Sequence, residues 1–264
     1  MTRDGVVAMQ HGTATGRRGS YGIYGGGVVL PMVGALQAGL ATTIVWTLRR
    51  RRHRLACSAG LAGAAVAGFA GSYLYSSLRG KFRVWAEILD ELRLCGDEQL
   101  LDIGCGRGAV LLLGARRLPA GRAVGVDVWR RRDQTGNTRA AAERNAALEG
   151  VGDRVGFVDA DARDLPFPAG SFDVVVSSLA IHNIAGAGGR SHALTEAVRV
   201  LRPGGRLRII DQRVAPYGET LLTAGCVDVH VRRLGWRMWY GTPGAPLSLV
   251  TATKPYQKAP RETG

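Results

Sequence analysis

The chain has 264 residues, 46% of them hydrophobic, and carries 35 Lys and Arg against 21 Asp and Glu, a net charge of +14. That much apolar material excludes a disordered chain, and the length fits one or two domains. The four Cys (57, 95, 105 and 226) form no CxxC pair and stand at no metal-ligand spacing with His, which argues against a zinc module and against a secreted disulfide scaffold.

The positive charge is unevenly placed. Residues 1–80 hold nine Arg and a single acid, Asp4. A nucleic-acid enzyme would concentrate its surplus on the catalytic part, so no specific nucleic-acid partner is expected. The Arg instead flank two stretches without a formal charge, 21–48 and 55–78. Each exceeds the roughly 20 residues that a membrane-spanning helix needs. Two such runs, long and late in the sequence, fit a cleaved signal peptide poorly. The six residues Arg49–Arg54 permit only a tight connection, so a tail (1–20) and a transmembrane hairpin (21–78) are predicted. Small residues recur every fourth position: Gly27, Pro31, Ala35, Gly39, Thr43 and Thr47, then Ala56, Gly60, Ala64, Gly68, Ser72 and Ser76. These stripes are the expected contact faces, since small side chains let helix backbones approach closely in lipid.

From about residue 79 to 255 the pattern alternates between helix and strand, with 256–264 as a tail. Helices are predicted at 82–92, 109–118, 137–149, 190–201 and 217–225. Seven strands are predicted at 99–103, 122–127, 154–159, 172–178, 205–211, 227–232 and 247–253. Strands separated by helices point to a doubly wound, mostly parallel α/β sheet covered on both faces.

The first strand ends in Gly104-Cys105-Gly106-Arg107-Gly108. Glycines between a strand and a helix let a ligand approach backbone N–H groups at the strand's carboxyl end. The run also satisfies the dinucleotide pattern of oxidoreductases, and an acid ending the second strand, Asp127, grips ribose hydroxyls in either setting.

The wider series separates these readings. Leu100-Leu101-Asp102-Ile103-Gly104-Cys105-Gly106, then Asp159-Ala160-Asp161-Ala162, Leu165-Pro166-Phe167-Pro168, Ser171-Phe172-Asp173-Val174-Val175 and Leu201-Arg202-Pro203-Gly204-Gly205 stand in order along the chain. Over residues 85–255 the sequence resembles the class I S-adenosylmethionine-dependent methyltransferases, of the type that acts on quinones, sterols and other small molecules. The resemblance implies a Rossmann-like sheet of seven strands, the last antiparallel, with S-adenosyl-L-methionine as cofactor and no metal. It places Asp102, Gly104 and Gly106 at the methionine end, Asp127 at the ribose, Asp161 and the Ala162 backbone at the adenine, and Ser178 to His182 beside the methyl group. His182 is the candidate general base or acceptor-orienting residue, because imidazole titrates near neutrality.

Two segments are candidates for choosing the acceptor: the polar loop 128–137 and the aromatic run 235–241. With a membrane hairpin attached, a lipophilic small acceptor is expected. The alternatives are a non-catalytic module that senses S-adenosylmethionine and a dinucleotide oxidoreductase. Topology is contested by charge: the loop's five Arg favour the cytoplasm, while Arg3, Arg17, Arg18, Arg79, Lys81, Arg83 and Arg93 oppose them at the other end. Because S-adenosylmethionine is made in the cytoplasm, the enzyme domain is expected on the cytoplasmic side of the cell membrane.

Overall fold

The computed structural model describes residues 17–24, 26–131, 133–240 and 247–256. The first 16 residues of the predicted tail, with Arg3, and also Arg132, Gly241 and most of the C-terminal tail lie outside them.

Helices α1 (Gly26–Arg49) and α2 (His53–Tyr75) form an antiparallel pair. Arg51 adopts a left-handed conformation and the Arg52 amide donates to the Thr47 carbonyl (2.8 Å), which closes the connection. Both helices are long and apolar enough to cross a membrane, with mean hydropathy 1.8 and 1.5 over their most apolar windows. The contact face follows the expected stripes only in part: Thr47 and Ala56, which belong to them, are buried. Ala56 and Ala59 are buried, and Gln37 Nε2 donates to the Gly63 carbonyl (3.0 Å). A Cβ built on Gly27, Gly39, Gly60 or Gly68 would meet nothing within 4 Å. Positions 56, 59 and 63 follow the alternating three-and-four spacing of a left-handed helix seam rather than a strict spacing of four.

Two boundaries also differ from expectation. Residues 21–24 are not helical, because their backbone is held by the sheet domain. Ile23 N donates to Thr135 Oγ1 (3.0 Å) and Gln134 Nε2 to the Tyr21 carbonyl (2.6 Å). At the other end the hairpin does not stop at residue 78. A π-helical turn, Ser76–Gly80, carries α2 directly into α3 (Lys81–Glu91). Such wide turns absorb an extra residue without breaking a helix. Gly80 is required there, since a Cβ would collide with the Arg237 carbonyl.

The remaining elements are β1 (Gln99–Ile103), α4 (Ala109–Ala115), β2 (Arg122–Asp127), α5 (Arg139–Leu148), β3 (Val155–Asp159), β4 (Phe172–Ser178), α6 (Ala187–Val200), β5 (Leu201–Asp211), α7 (Ala215–Thr223), β6 (Val227–Arg233) and β7 (Ser248–Thr253). They form one seven-stranded sheet of order β3-β2-β1-β4-β5-β7-β6, in which β7 alone runs antiparallel to its neighbours. The doubly wound reading is therefore correct. Helix α4 ends three residues before the predicted position, because Pro119 disfavours helical backbone at Leu118. Alternate residues of β1 feed opposite cores: Leu100 joins Trp85, Ile88 and Leu111 beneath α3 and α4, whereas Leu101 and Ile103 join Val175, Leu194 and Leu207 beneath α6. Burial on both faces explains why β1 reads as a continuous apolar run broken only by Asp102.

Candidate functional site

One cavity lies at the carboxyl ends of β1, β2 and β4, where strand order reverses between β1 and β4 and doubly wound sheets take their ligands. Asp102, Gly104, Gly106, Asp127, Asp161, Ala162 and Ser178 all line it. The structure thus brings together the seven residues that the sequence marks for the cofactor.

The glycine turn is shaped by its φ angles: +72° at Gly104, +52° at Gly106 and +83° at Gly108. A Cβ on Gly104 would collide with that of Ala180, and one on Gly106 would lie 2.5 Å from Gln134 Oε1. The floor of the cavity is backbone because nothing else fits. Asp127 organises the turn from β2. Its Oδ2 accepts from Gly106 N (2.8 Å) and its Oδ1 from Trp129 N (2.6 Å), with Asn137 Nδ2 at 3.4 Å. Burial raises the pKa of its carboxyl above the ordinary value.

Asp102 is 2% exposed and accepts from Leu111 N in α4 (2.9 Å). Burial pushes its pKa up to about 8. Lys81, at the start of α3, also lines the cavity; burial, with Arg17 and Arg107 nearby, lowers it to about 8. Asp161 is held below the usual range, at about 2, by the Arg163 guanidinium, which bonds it at 2.7 and 3.0 Å. The Ser178 hydroxyl is fixed by Trp85 Nε1 (2.9 Å), a contact that ties α3 to the end of β4.

His182 stands one hydrogen bond back from the cavity. The wall at that point is Tyr24, Ile181 and Asn183. Its Nε2 lies 2.6 Å from the Tyr24 hydroxyl, and its Nδ1 pairs with the buried carboxylate of Asp211. Sequence reasoning missed Tyr24 and Lys81, and reached Tyr240 only as part of the aromatic run 235–241. For Tyr24 no local signal exists, since its partners Tyr73, Gln134 and His182 stand 49 to 158 residues away. Lys81 carried one: Lys occurs at only three positions in an Arg-rich chain. Lys254 is equally specific, its Nζ donating to the Val198 (2.8 Å) and Leu201 (2.7 Å) carbonyls behind α6.

Within the aromatic run Met238 joins the core cluster of Leu247 and Leu249, while Trp239 and Tyr240 pack at the foot of the hairpin. Ser76 Oγ donates to the Trp239 carbonyl (2.7 Å), and Tyr240 meets Tyr73 and Tyr24 edge to face at 5.6 and 5.9 Å. Trp236 stacks on Tyr75 (5.8 Å) and remains 70% exposed. The polar loop 128–137 contributes Arg130, Asp133, Gln134 and Asn137 to the cavity. Among the described residues no cluster suited to a metal ion occurs.

Residues 101–209 match a family described as "Methyltransferase domain". The chain is 37% identical over 127 residues to 27-O-demethylrifamycin SV methyltransferase of Amycolatopsis mediterranei, covering 47% of this chain and 42% of that protein. It is 35% identical over 133 residues to the ubiquinone/menaquinone biosynthesis C-methyltransferase UbiE of Dinoroseobacter shibae, covering 50% of each. The chain thus spans half or less of the length of these curated relatives. Among solved structures, geranyl diphosphate C-methyltransferase from Streptomyces coelicolor superposes with TM-score 0.54 at 18% identity, over 69% of this chain and 82% of that one. The [4+2]-cyclase SpnF superposes with TM-score 0.53 at 22% identity, over 66% and 82%. These structures share the fold; a cyclase among them illustrates that the fold does not fix the reaction. The dinucleotide reading of the glycine turn is superseded by the domain match, which runs through Asp127 and Asp161 to the end of β5.

Proposed function

Because this chain carries a class I S-adenosylmethionine-dependent methyltransferase domain, with S-adenosylmethionine as cofactor, we propose that it methylates a lipophilic small molecule at a membrane. The observation that carries the proposal is the make-up of the cavity wall. Tyr24 lies just before α1, Lys81 opens α3 where it continues α2 through the Ser76–Gly80 turn, and Tyr240 packs on the hairpin foot.

The residues present fit the cofactor, because the cavity combines a backbone floor at Gly104 and Gly106 with the carboxylates of Asp102, Asp127 and Asp161 and the amine of Lys81. When bound, it supplies an electrophilic methyl group on a sulfonium. Asp102 would pair with the ammonium of its methionine part and Lys81 with the carboxylate. Asp127 has acceptor sites left for ribose hydroxyls after serving two backbone amides. Asp161, already oriented by Arg163, and the Ala162 backbone would meet the adenine. Ser178 would border the methyl group. Transfer then needs little beyond alignment of acceptor, methyl carbon and sulfur, with water excluded. The test is to incubate the purified protein with methyl-labelled S-adenosylmethionine and total lipid, protein and RNA fractions. Label in the organic-soluble fraction supports the proposal; label confined to protein or RNA contradicts it.

Asp102 gives a separable prediction. Its folded pKa, about 8, lies above the unfolded carboxyl value of 3.8. A raised carboxyl contributes stability that is complete below the unfolded pKa and lost as pH rises through the folded one. Without cofactor, Asp102→Asn is therefore expected to melt at or above the wild-type temperature at pH 8. Its affinity for S-adenosylmethionine should fall about tenfold, by loss of one charge-assisted contact. A variant that binds normally by calorimetry would remove Asp102 from the cofactor site.

For the hairpin we infer two membrane spans, with both ends in the cytoplasm and Arg49–Arg54 on the far side. Val28, Met32 and Leu61 are 62, 65 and 73% exposed, so apolar side chains project away from the helix pair along its length. Surfaces of that kind are stable against lipid rather than water. Trp46 lies within 6.0 Å of the Arg50 and Arg52 guanidiniums, an interfacial anchor at the loop end. Single cysteines at Ser20 and His53, both exposed, report the outcome in a Cys-free background. In intact cells an impermeant reagent should label position 53 and not 20. The reverse pattern contradicts two spans.

A further inference from the structure

We propose that Tyr24 is the acceptor-facing catalytic residue of this site, acting through a hydrogen-bond relay of His182 and the buried Asp211. The inference rests on the methyl-transfer reading above. It applies to acceptors whose reacting atom bears, or is conjugated to, an ionisable hydroxyl.

The relay is assigned from its inner end outward. Asp211, at the end of β5, is fully buried. Its carboxylate accepts from His182 N (3.0 Å), Gln212 N (2.8 Å) and the Tyr217 hydroxyl (3.1 Å), as well as from His182 Nδ1. A carboxylate with that many donors acts as acceptor only, so Nδ1 carries the hydrogen and Nε2 is left with a lone pair. The Tyr24 hydroxyl, 2.6 Å from Nε2, is then the donor. Imidazole is thereby shielded from the cavity and the phenol oxygen is presented to it.

Tyr24 is held on three sides. Its backbone bridges to Gln134, its carbonyl accepts from the Tyr73 hydroxyl of α2, and its ring meets Tyr240 edge to face (5.9 Å). Such fixation by three separate parts of the chain serves positioning, for which a free surface tyrosine would have no need. The groups facing its hydroxyl are Asn183, Asp211, Asp133 and Tyr73. Burial raises the phenol's pKa, and Asp211, Asp133 and Tyr73 raise it further, while the Asn183 hydrogen bond lowers it.

The proton balance closes within the relay. As the acceptor atom bonds to the methyl carbon, the carbon–sulfur bond breaks and its electron pair stays on sulfur. The acceptor's proton passes to the Tyr24 oxygen while the Tyr24 proton passes to His182 Nε2. The product state holds a neutral phenol and an imidazolium whose Nδ1 remains paired with the Asp211 carboxylate. The imidazolium then returns its proton to solvent through the same phenol. His182 and Asp211 are positioning residues in this scheme.

Two readouts test it, using the full chain with Tyr24→Phe, which keeps the ring contacts, and His182→Gln. In the first, 2-naphthol is bound to protein saturated with S-adenosylhomocysteine and titrated by absorbance. The relay should ease its ionisation about tenfold or more relative to free naphthol, and both variants should lose that shift. In the second, transfer of labelled methyl into the organic-soluble extract should fall at least about 100-fold in kcat, with cofactor affinity within about threefold of wild type. An unshifted naphthol in the wild type, a naphthol that does not bind, or a shift that survives in Tyr24→Phe overturns the relay. Absence of label from the extract with an intact naphthol shift sinks the acceptor reading and leaves the relay standing.

Discussion

Gly104→Ala is expected to abolish cofactor binding and to lower the melting temperature markedly. Gly104 has φ +72°, where a side chain costs about 1–2 kcal/mol in backbone strain. The new methyl would also collide with Ala180 Cβ, which sits on the segment after β4 and has backbone behind it. Overpacking of that kind costs about 1–3 kcal/mol more. The sum, about 2–5 kcal/mol, is a large part of a typical domain's stability. Relief by moving Ala180 would push the 178–182 segment across the cavity. Calorimetric titration and thermal melting should show both losses together; retained affinity in a stable variant would contradict the shape assigned to the cavity floor.

Asp127→Ala should have a comparable effect by a different route. The carboxylate supports Gly106 N and Trp129 N, and orphaning two largely buried amides costs about 1–3 kcal/mol each. Loss of the proposed ribose contacts, at about 1.5–3 kcal/mol for a charge-assisted bond, predicts binding weakened about 10–100-fold or more. From sequence alone this variant would be expected to lose binding and keep its fold. The observed hydrogen bonds imply that the fold loosens as well. Asp127→Asn keeps an acceptor for one amide, so it should recover most of the melting temperature and little of the affinity. Equal recovery of both would mean that Asp127 only braces the loop.

The contrast between these residues and Tyr24 shows what a sequence makes legible. Asp102, Gly104, Gly106 and Asp127 sit at fixed offsets from strand ends, so the periodicity that reveals β1 and β2 also places their terminal groups on one side of the sheet. Tyr24 lies 158 residues from His182, inside an uncharged run whose composition suggested only a span. Its placement depends on Gly22, with φ +62° and a Cβ position 2.6 Å from the Thr135 carbonyl. The passage from α2 to α3 was obscure for a related reason: Arg79 and Gly80 look like a linker, yet a helix held against the Trp239 and Arg237 carbonyls absorbs them as a wide turn. The small-residue stripes pointed to close packing, but helix crossing geometry decides which of two adjacent stripes is used. Long-range contacts of this kind leave no periodic trace.

The joining of hairpin and domain gives the account its economy. Tyr24, Tyr73 and Lys81 belong to the membrane-proximal segments by sequence and to the cavity or its immediate support by structure. A domain cut at residue 79 would lack the Tyr24 wall of its own site and the Tyr73 hydroxyl that supports it.

The central claim, that the cavity delivers the methyl of S-adenosylmethionine to a membrane-borne small molecule, is tested most directly by product stoichiometry. Full-length protein in lipid nanodiscs is supplied with S-adenosylmethionine, with and without the organic-soluble extract, and S-adenosylhomocysteine is quantified against methyl label in the organic phase. The account predicts S-adenosylhomocysteine only when the extract is present, in a one-to-one ratio with the label. Tight binding of S-adenosylmethionine with no S-adenosylhomocysteine formed under either condition would contradict it and would make the protein a sensor of the cofactor.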